Sequence, residues 1–211
     1  MTIDGWIARA AEATPNRCAI EFQGTELSYG DFAKLIEVRA AQLHARGIVR
    51  GDRIAWLGFN HPEVFVLLFA AARLGAILVP LNWRLADGDV AGILNDCAPR
   101  IVFHDTKATE RATKLAGSLA TPIWDEQAEG QAPQGGKVDD PLLIVYTSGS
   151  TGAPKGAVLA QSALVANAEM SVEAHGLTQK DRVLSVLPLF HVGGLNILPT
   201  PAFSFIAARR V

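Results

Sequence analysis

Cysteine, methionine and tyrosine are each present only twice among the 211 residues. Cys18 and Cys97 stand far apart and without the spacing of metal ligands. This excludes a disulfide framework and a zinc site, and fits two buried thiols in a reducing compartment. An excess of one charge is also lacking. Lys and Arg number 19 against 21 Asp and Glu, a net of −2, so nothing draws the chain to nucleic acid or to an anionic membrane. The opening Met-Thr-Ile-Asp-Gly-Trp has neither a basic region nor an apolar core, so no secretion signal is legible and cytoplasmic residence is expected. The longest apolar stretch, Val64 to Val79, is interrupted by Arg73 and Gly75, too short and too broken for a membrane span. There is no internal repeat. No G-x-G-x-x-G follows a strand and opens a helix, which argues against a dinucleotide fold.

What is present is a pattern of helices alternating with strands. Hydrophobic residues make up 49% and charged residues 19%, enough for a substantial core. A short helix around Ile7–Ala13 ends before Pro15, and Cys18–Phe22 with Thr25–Leu27 flank Gln23-Gly24 as a hairpin. Ser28 caps a helix from Tyr29 to about Arg46, with Gly47 as its stop and Leu35, Val38, Ala41 and Leu43 as its apolar stripe. Strands are expected at Arg53–Gly58, Ala76–Pro80, Arg100–His104, Pro122–Trp124, Leu142–Val145, Ala157–Leu159 and Arg182–Leu187. Helices are expected at Pro62–Leu74, Asp87–Cys97, Thr106–Ser118 and Ser162–His175. Such alternation predicts an α/β fold with a largely parallel sheet flanked by helices. Residues 125–140, rich in acids, glutamine and glycine, read as a surface linker and the best internal boundary.

The most informative segment follows the apolar run Leu142–Val145. It reads Tyr-Thr-Ser-Gly-Ser-Thr-Gly-Ala-Pro-Lys-Gly over residues 146–156. Glycines let backbone N–H groups close on an anion. Thr147, Ser148, Ser150 and Thr151 add hydroxyl donors, and Lys155 brings a mobile positive charge. The loop suits a polyphosphate. It is not a Walker loop, because Pro154 stands where that motif needs its second glycine. The bland alternative is an ordinary Gly/Ser turn.

The string Thr147–Gly156 resembles the phosphate-loop signature of the adenylate-forming superfamily, which includes acyl-CoA synthetases, luciferases and peptide-synthetase adenylation domains. Further pieces match in the expected order. Leu27-Ser28-Tyr29 resembles the family's L-T/S-Y segment, Gly51–Ala55 its G-D-R-V-A strand entry, and Gly75–Leu81 its G-A-x-x-V-P-L turn and strand. Pro188–Gly194 is similar to the acyl-CoA synthetase P-L-F-H-x-x-G segment. Together they cover about residues 1–197. The resemblance implies ATP with magnesium, a carboxylic acid and coenzyme A as reactants. It also implies that Thr147, Ser148, Gly149, Ser150, Thr151, Gly152, Pro154, Lys155 and Gly156 hold the β- and γ-phosphates. The residue matching His191 would line the acyl pocket and orient the carboxylate, so His191 and Lys155 are the expected catalytic residues. His44, His61, His104 and His175 lack such a setting, and Trp56, Trp83 and Trp124 read as core.

The sequence also departs from the family. The later Y-G-x-T-E motif, the T-G-D aspartate and the C-terminal catalytic lysine do not occur in these residues. The expected organisation is therefore a partial AMP-binding domain over 1–198 and an atypical tail at 199–211. Pro199 and Pro201 would interrupt the helix that the family places there. Ser-Phe-Ile-Ala-Ala-Arg-Arg is encodable by a GC-rich string whose shifted frame reads F-H-R-G-A-T, which resembles the family's next segment. A frameshifted or truncated product, inactive alone and prone to self-association through uncovered apolar surface, is the expectation. An amino-acid adenylation domain is the alternative within the family, disfavoured by Phe190-His191 where that branch carries F-D. A non-catalytic remnant with weak phosphate binding is the alternative outside enzymes.

Overall fold

In a computed structural model the described residues are 2–124, 132–147 and 154–207. The chain opens with α1 (Asp4–Ala13), the hairpin β1 (Cys18–Phe22) and β2 (Thr25–Ser28), and α2 (Tyr29–Ala45). Gln23 and Gly24 both take positive φ, 52° and 80°, the geometry of a two-residue hairpin turn. Ser28 Oγ accepts from the N–H of Asp31 at 3.1 Å and so caps α2. The stripe that α2 buries is set by Phe32, Ile36, Ala40 and Leu43. Leu35 and Val38 lie beside it, half-buried, one position off the expected face.

Next come β3 (Arg53–Leu57), α3 (Glu63–Leu74), β4 (Ile77–Leu81), α4 (Asp87–Cys97) and β5 (Ile101–His104). After them follow α5 (Thr109–Ala116), β6 (Ala120–Pro122), β7 (Pro141–Thr147), β8 (Lys155–Ala160), α6 (Gln161–His175), α7 (Val192–Asn196) and α8 (Pro199–Ala207). Six strands form one sheet in the order β6-β5-β3-β4-β7-β8. Its pairs are parallel except for the antiparallel hairpin β7–β8 at one edge. Strand alternation divides the core. Ile54, Trp56, Leu78, Ile101, Phe103, Leu143 and Val145 face α1, α2, α3, α6 and α8. Ala55, Leu57, Val79, Leu81 and Val102 face α4 and α5. Helices therefore cover both faces, as a parallel sheet requires.

Helix α3 lies at the centre of the larger layer and is buried along nearly its whole length, Glu63 included. Glu63 meets Arg39 of α2, Nε to Oε1 at 2.6 Å and Nη2 to Oε2 at 3.3 Å. The same guanidinium donates to Gln42 Oε1 at 2.6 Å and to the Trp124 carbonyl at 3.1 Å, and stacks over the Trp124 ring. Arg39 is 1% exposed, so the ion pair has little water to screen it. The segment 132–140 does not stand clear of the body. The N–H groups of Gly135 and Gly136 both donate to the Arg73 carbonyl at the end of α3, and Asp140 is buried. Gln161, fully buried, donates from Nε2 to the Ala72 carbonyl at 3.0 Å and accepts from the Ile3 N–H at 3.2 Å. It ties α1, α3 and α6 together.

One expectation fails here. Arg182–Leu187 is not a strand. It runs without regular structure, and Leu184 and Val186 are 83% and 72% exposed. Its β-prone composition has no neighbouring strand among the described residues, and a strand without a ladder leaves its backbone to water. The helix is interrupted as expected, α7 ending at Asn196, and Pro199 and Pro201 begin a new one, α8. They sit in its first turn, where an N–H has no intrahelical partner to lose. Phe203 of α8 is buried against Phe32, Phe65 and Phe69, with ring centroids 5.4–5.5 Å apart.

The Arg39–Glu63 pair supplies a stability test. Glu63→Gln strands a buried guanidinium and is expected to destabilise the fold by about 3 kcal/mol. Replacing both members together, Arg39→Met with Glu63→Leu, should cost much less. Urea unfolding of the three proteins measures the difference.

Candidate functional site

Loops that follow parallel strands emerge at the carboxyl edge of the sheet, where α/β folds bind ligands. Here four such loops leave β3, β4, β5 and β7 on that edge. The loop after β7 is the glycine- and hydroxyl-rich segment. Ser148, Gly149, Ser150, Thr151 and Gly152 lie outside the described residues, but both ends of the loop are placed. Thr147 closes β7 and Lys155 opens β8, directly opposite each other in the antiparallel ladder. Both are exposed, with Pro154 half-buried beside them. Gly156 pairs with Tyr146. A Cβ at 156 would stand 2.8 Å from Ile144 Cγ2 and 3.1 Å from Tyr146 Cζ. Glycine is needed so that the Tyr146 ring can lie across the hairpin while its hydroxyl donates to Asp96 of α4. Burial chiefly, and that bond, hold the phenol above its ordinary pKa.

The loops after β3 and β4 meet the segment that carries His191. Trp83 follows β4 and is half-buried rather than core, a correction to the sequence reading. Its ring packs on Phe59 at 4.4 Å and edge-on to Phe190 at 6.4 Å, with Arg84 over both Trp83 and Phe190. Its loop is held from α5. The Arg111 guanidinium donates to the Trp83 and Leu85 carbonyls and to Asp87 Oδ1, the last at 2.8 Å. Lys114 and Arg111 together keep the Asp87 carboxyl below its usual range.

His191 is exposed and caps α7. Its Nδ1 accepts from the N–H of Gly193 at 3.0 Å, and its carbonyl accepts from Leu195 at 2.9 Å. A neutral imidazole that accepts at Nδ1 carries its proton on Nε2, which suits it to donate to an oxygen ligand. The glycine pair after it has a steric reason. A Cβ at Gly194 would stand 2.0 Å from the Pro188 carbonyl oxygen, so the turn Pro188–His191 can close only on glycine.

Sequence reasoning missed several groups at this edge. Asn60 and His61, after β3, are drawn into it. Asn60 hydrogen-bonds the backbone at Leu187 and Leu189. His61 stacks on Trp56 at 5.8 Å and accepts at Nδ1 from the Glu63 N–H at 3.1 Å. Burial lowers the His61 pKa, against the pull of the Asp105 carboxylate. Asp105, at the end of β5, accepts from the Phe59 and Ala108 N–H groups at 2.7 and 2.8 Å. Position along the chain gave no sign that these residues converge. His44 is exposed and His175 bonds its own helix at Ser171, as their places near helix ends imply. Among the described residues no group of three or more His, Cys, Asp or Glu gathers to hold a metal ion. No described helix is long and apolar enough to cross a membrane.

Comparison with known proteins shows the family. The chain is 41% identical to an indoleacetate–CoA ligase of Aromatoleum aromaticum, over 97% of its own length and 44% of that protein's. It is 34% identical to a feruloyl-CoA synthase of an Amycolatopsis species, over 94% and 41%. It thus spans less than half of these curated relatives. Among solved structures, a protein described as a long-chain-fatty-acid CoA ligase from Rhodopseudomonas palustris CGA009 superposes with a TM-score of 0.89 at 32% identity, over 97% of this chain and 56% of that one. The N-terminal domain of FACL13 from Mycobacterium tuberculosis superposes at 0.80 with 29% identity, over 98% and 55%. The AMP-binding enzyme family matches residues 7–204, a span that takes in both the hairpin loop and the His191 turn. Because that match takes in nearly the whole chain, the chain belongs to the AMP-binding enzyme family.

Proposed function

We propose that this chain supplies the polyphosphate cradle and one wall of the acyl pocket of an ATP-dependent carboxylate–CoA ligase. The observation that carries the reading is the signature loop closing the β7–β8 hairpin on the sheet edge to which Trp83 and Phe190 also bring His191. In the reaction a carboxylate oxygen attacks the α-phosphorus of ATP, the bond to pyrophosphate breaks, and an acyl adenylate forms. The thiol of coenzyme A then attacks the acyl carbon, losing its proton, and AMP leaves. Charge builds on phosphoryl oxygens in the first step, so donors and cations around the leaving group supply most of the catalysis. Thr147, Ser148, Ser150, Thr151, the glycine N–H groups and Lys155 would hold the β- and γ-phosphates, and the Nε2–H of His191 would orient the carboxylate. The family implies magnesium, which this reading assigns to no residue of the chain. Phe190-His191 favours a CoA ligase over an amino-acid adenylation domain. The relatives that act on indoleacetate and ferulate make aromatic acids the first to test.

Lacking the family's adenosine and metal motifs, the 211 residues alone are expected to show no carboxylate-dependent exchange of pyrophosphate into ATP. An exchange assay over aromatic and fatty acids checks this, and measurable turnover would sink it. In a ligase that contains this region, Lys155→Ala should weaken adenylation by roughly 1.5–3 kcal/mol, the worth of a hydrogen bond to a charged group. Unchanged adenylation kinetics would remove Lys155 from the site.

Self-association belongs to the same proposal. Leu184, Val186 and Leu187, and Val158 in the edge strand β8, expose apolar side chains, and an unprotected sheet edge invites pairing. Size-exclusion chromatography of the 211-residue chain is expected to show oligomers; a single sharp monomer peak would refute it.

A further inference from the structure

We propose that Asn60 is a positioning residue for His191. Its carboxamide grips the backbone just upstream of the histidine from both sides of one residue. Nδ2 donates to the Leu187 carbonyl at 2.9 Å, and Oδ1 accepts from the Leu189 N–H at 2.9 Å. A side chain that bonds the C=O of one residue and the N–H two residues on does the work of a neighbouring strand. No such strand is present here among the described residues.

The need for the clamp follows from how the segment is held. Arg182–Ser185 border a cavity of about 620 Å³, lined also by Phe22, His61, Phe65, Leu189 and Phe203, so packing does not fix that stretch from beneath. Its start is pinned by Arg182 to Glu21 and Glu26 at 3.7 and 3.3 Å, contacts between exposed groups that carry little energy. Leu184, at the open side of that cavity, and Val186 are largely exposed. The Asn60 bonds come next, and after them the chain turns tightly. The His191 N–H donates to the Pro188 carbonyl at 3.1 Å, the oxygen that Gly194 packs against. Fixing Leu189 therefore fixes the turn and the imidazole that opens α7.

Asn60 is itself held rigidly. The preceding Phe59 N–H donates to Asp105 Oδ2 at 2.7 Å, and the Phe59 carbonyl accepts from Trp56 Nε1 at 3.3 Å. The following His61 caps Glu63 and stacks on Trp56. The carboxamide thus transmits the position of the β3–α3 junction to the His191 turn. Its catalytic meaning rests on the ligase reading above; the clamp itself does not.

Hydrogen exchange of the 211-residue chain, read residue by residue by mass spectrometry without any nucleotide, tests the clamp. The Leu189 amide reports the clamp directly, and the Gly193 amide reports the imidazole, because it donates to His191 Nδ1. In Asn60→Ala both should exchange about 10-fold faster or more, from the loss of two hydrogen bonds. The Phe59 and Glu63 amides, held by Asp105 and His61, should not change. Asn60→Asp keeps the acceptor and should retain protection at Leu189. Unchanged exchange at Leu189 in Asn60→Ala overturns the proposal. So does acceleration at Leu189 without Gly193, a rise shared with Phe59 and Glu63, or an Asn60→Asp protein that exchanges at Leu189 like Asn60→Ala. Because no nucleotide is present, failure of the polyphosphate reading in the Lys155→Ala assay leaves this result standing, and the reverse also holds.

Discussion

Helix α3 is apolar around its whole circumference, and the protein is arranged to keep water off every side of it. An ordinary amphipathic helix needs one covered face; α3 needs all of them. The sheet takes one side, α2 and α1 another, and Phe203 of α8 inserts among Phe32, Phe65 and Phe69. Its end is closed by the N–H groups of Gly135 and Gly136 on the Arg73 carbonyl and by Gln161 on the Ala72 carbonyl. The one charge it buries, Glu63, is met by a bidentate guanidinium. That helix starts directly after Asn60 and His61, so the constraint that fixes α3 also fixes the loop that reaches the His191 turn.

The candidate site shows how a parallel sheet concentrates chemistry. Residues from several loops reach one edge because five strands of the sheet, β3 to β7, point the same way. Three segments there are held by a side chain from another element: Asp105 on Phe59, Arg111 on the loop at Trp83, and Asn60 on Leu187 and Leu189. Such cross-bracing sets side chains more firmly than loop backbone would alone. His191 and Lys155 are both exposed, and Phe190, next to the histidine, joins the aromatic cluster of Phe59 and Trp83.

Burial also decides what is chemically quiet. Cys97, buried at the end of α4, has its thiol pushed up to about 11, mainly by desolvation, and stays protonated near neutrality. Tyr29, buried against α1 and the hairpin, is raised for the same reason. Neither group offers a nucleophile, whereas His191 and Lys155 stay in contact with solvent.

By itself the sequence determined the elements and the loop chemistry. Ser28 as a cap, Gly47 as a helix stop, the turn at Gln23-Gly24 and the glycine-hydroxyl-lysine loop are local signals, each set by backbone sterics or hydrogen bonding within a few residues. The α/β class followed from their alternation. What tertiary structure alone decided is everything that depends on a distant partner. Arg182–Leu187 has the composition of a strand and none of its structure, since a ladder needs a neighbour. Pro199 and Pro201 start a helix, since the cost of proline depends on which turn receives it. Trp83 lines the sheet edge instead of the core, and Asn60 finds Leu187 and Leu189, more than a hundred positions along the chain. Local sequence encodes conformational preference, but contact across such a span is set by strand order and the direction of the sheet, which no window of neighbouring residues contains.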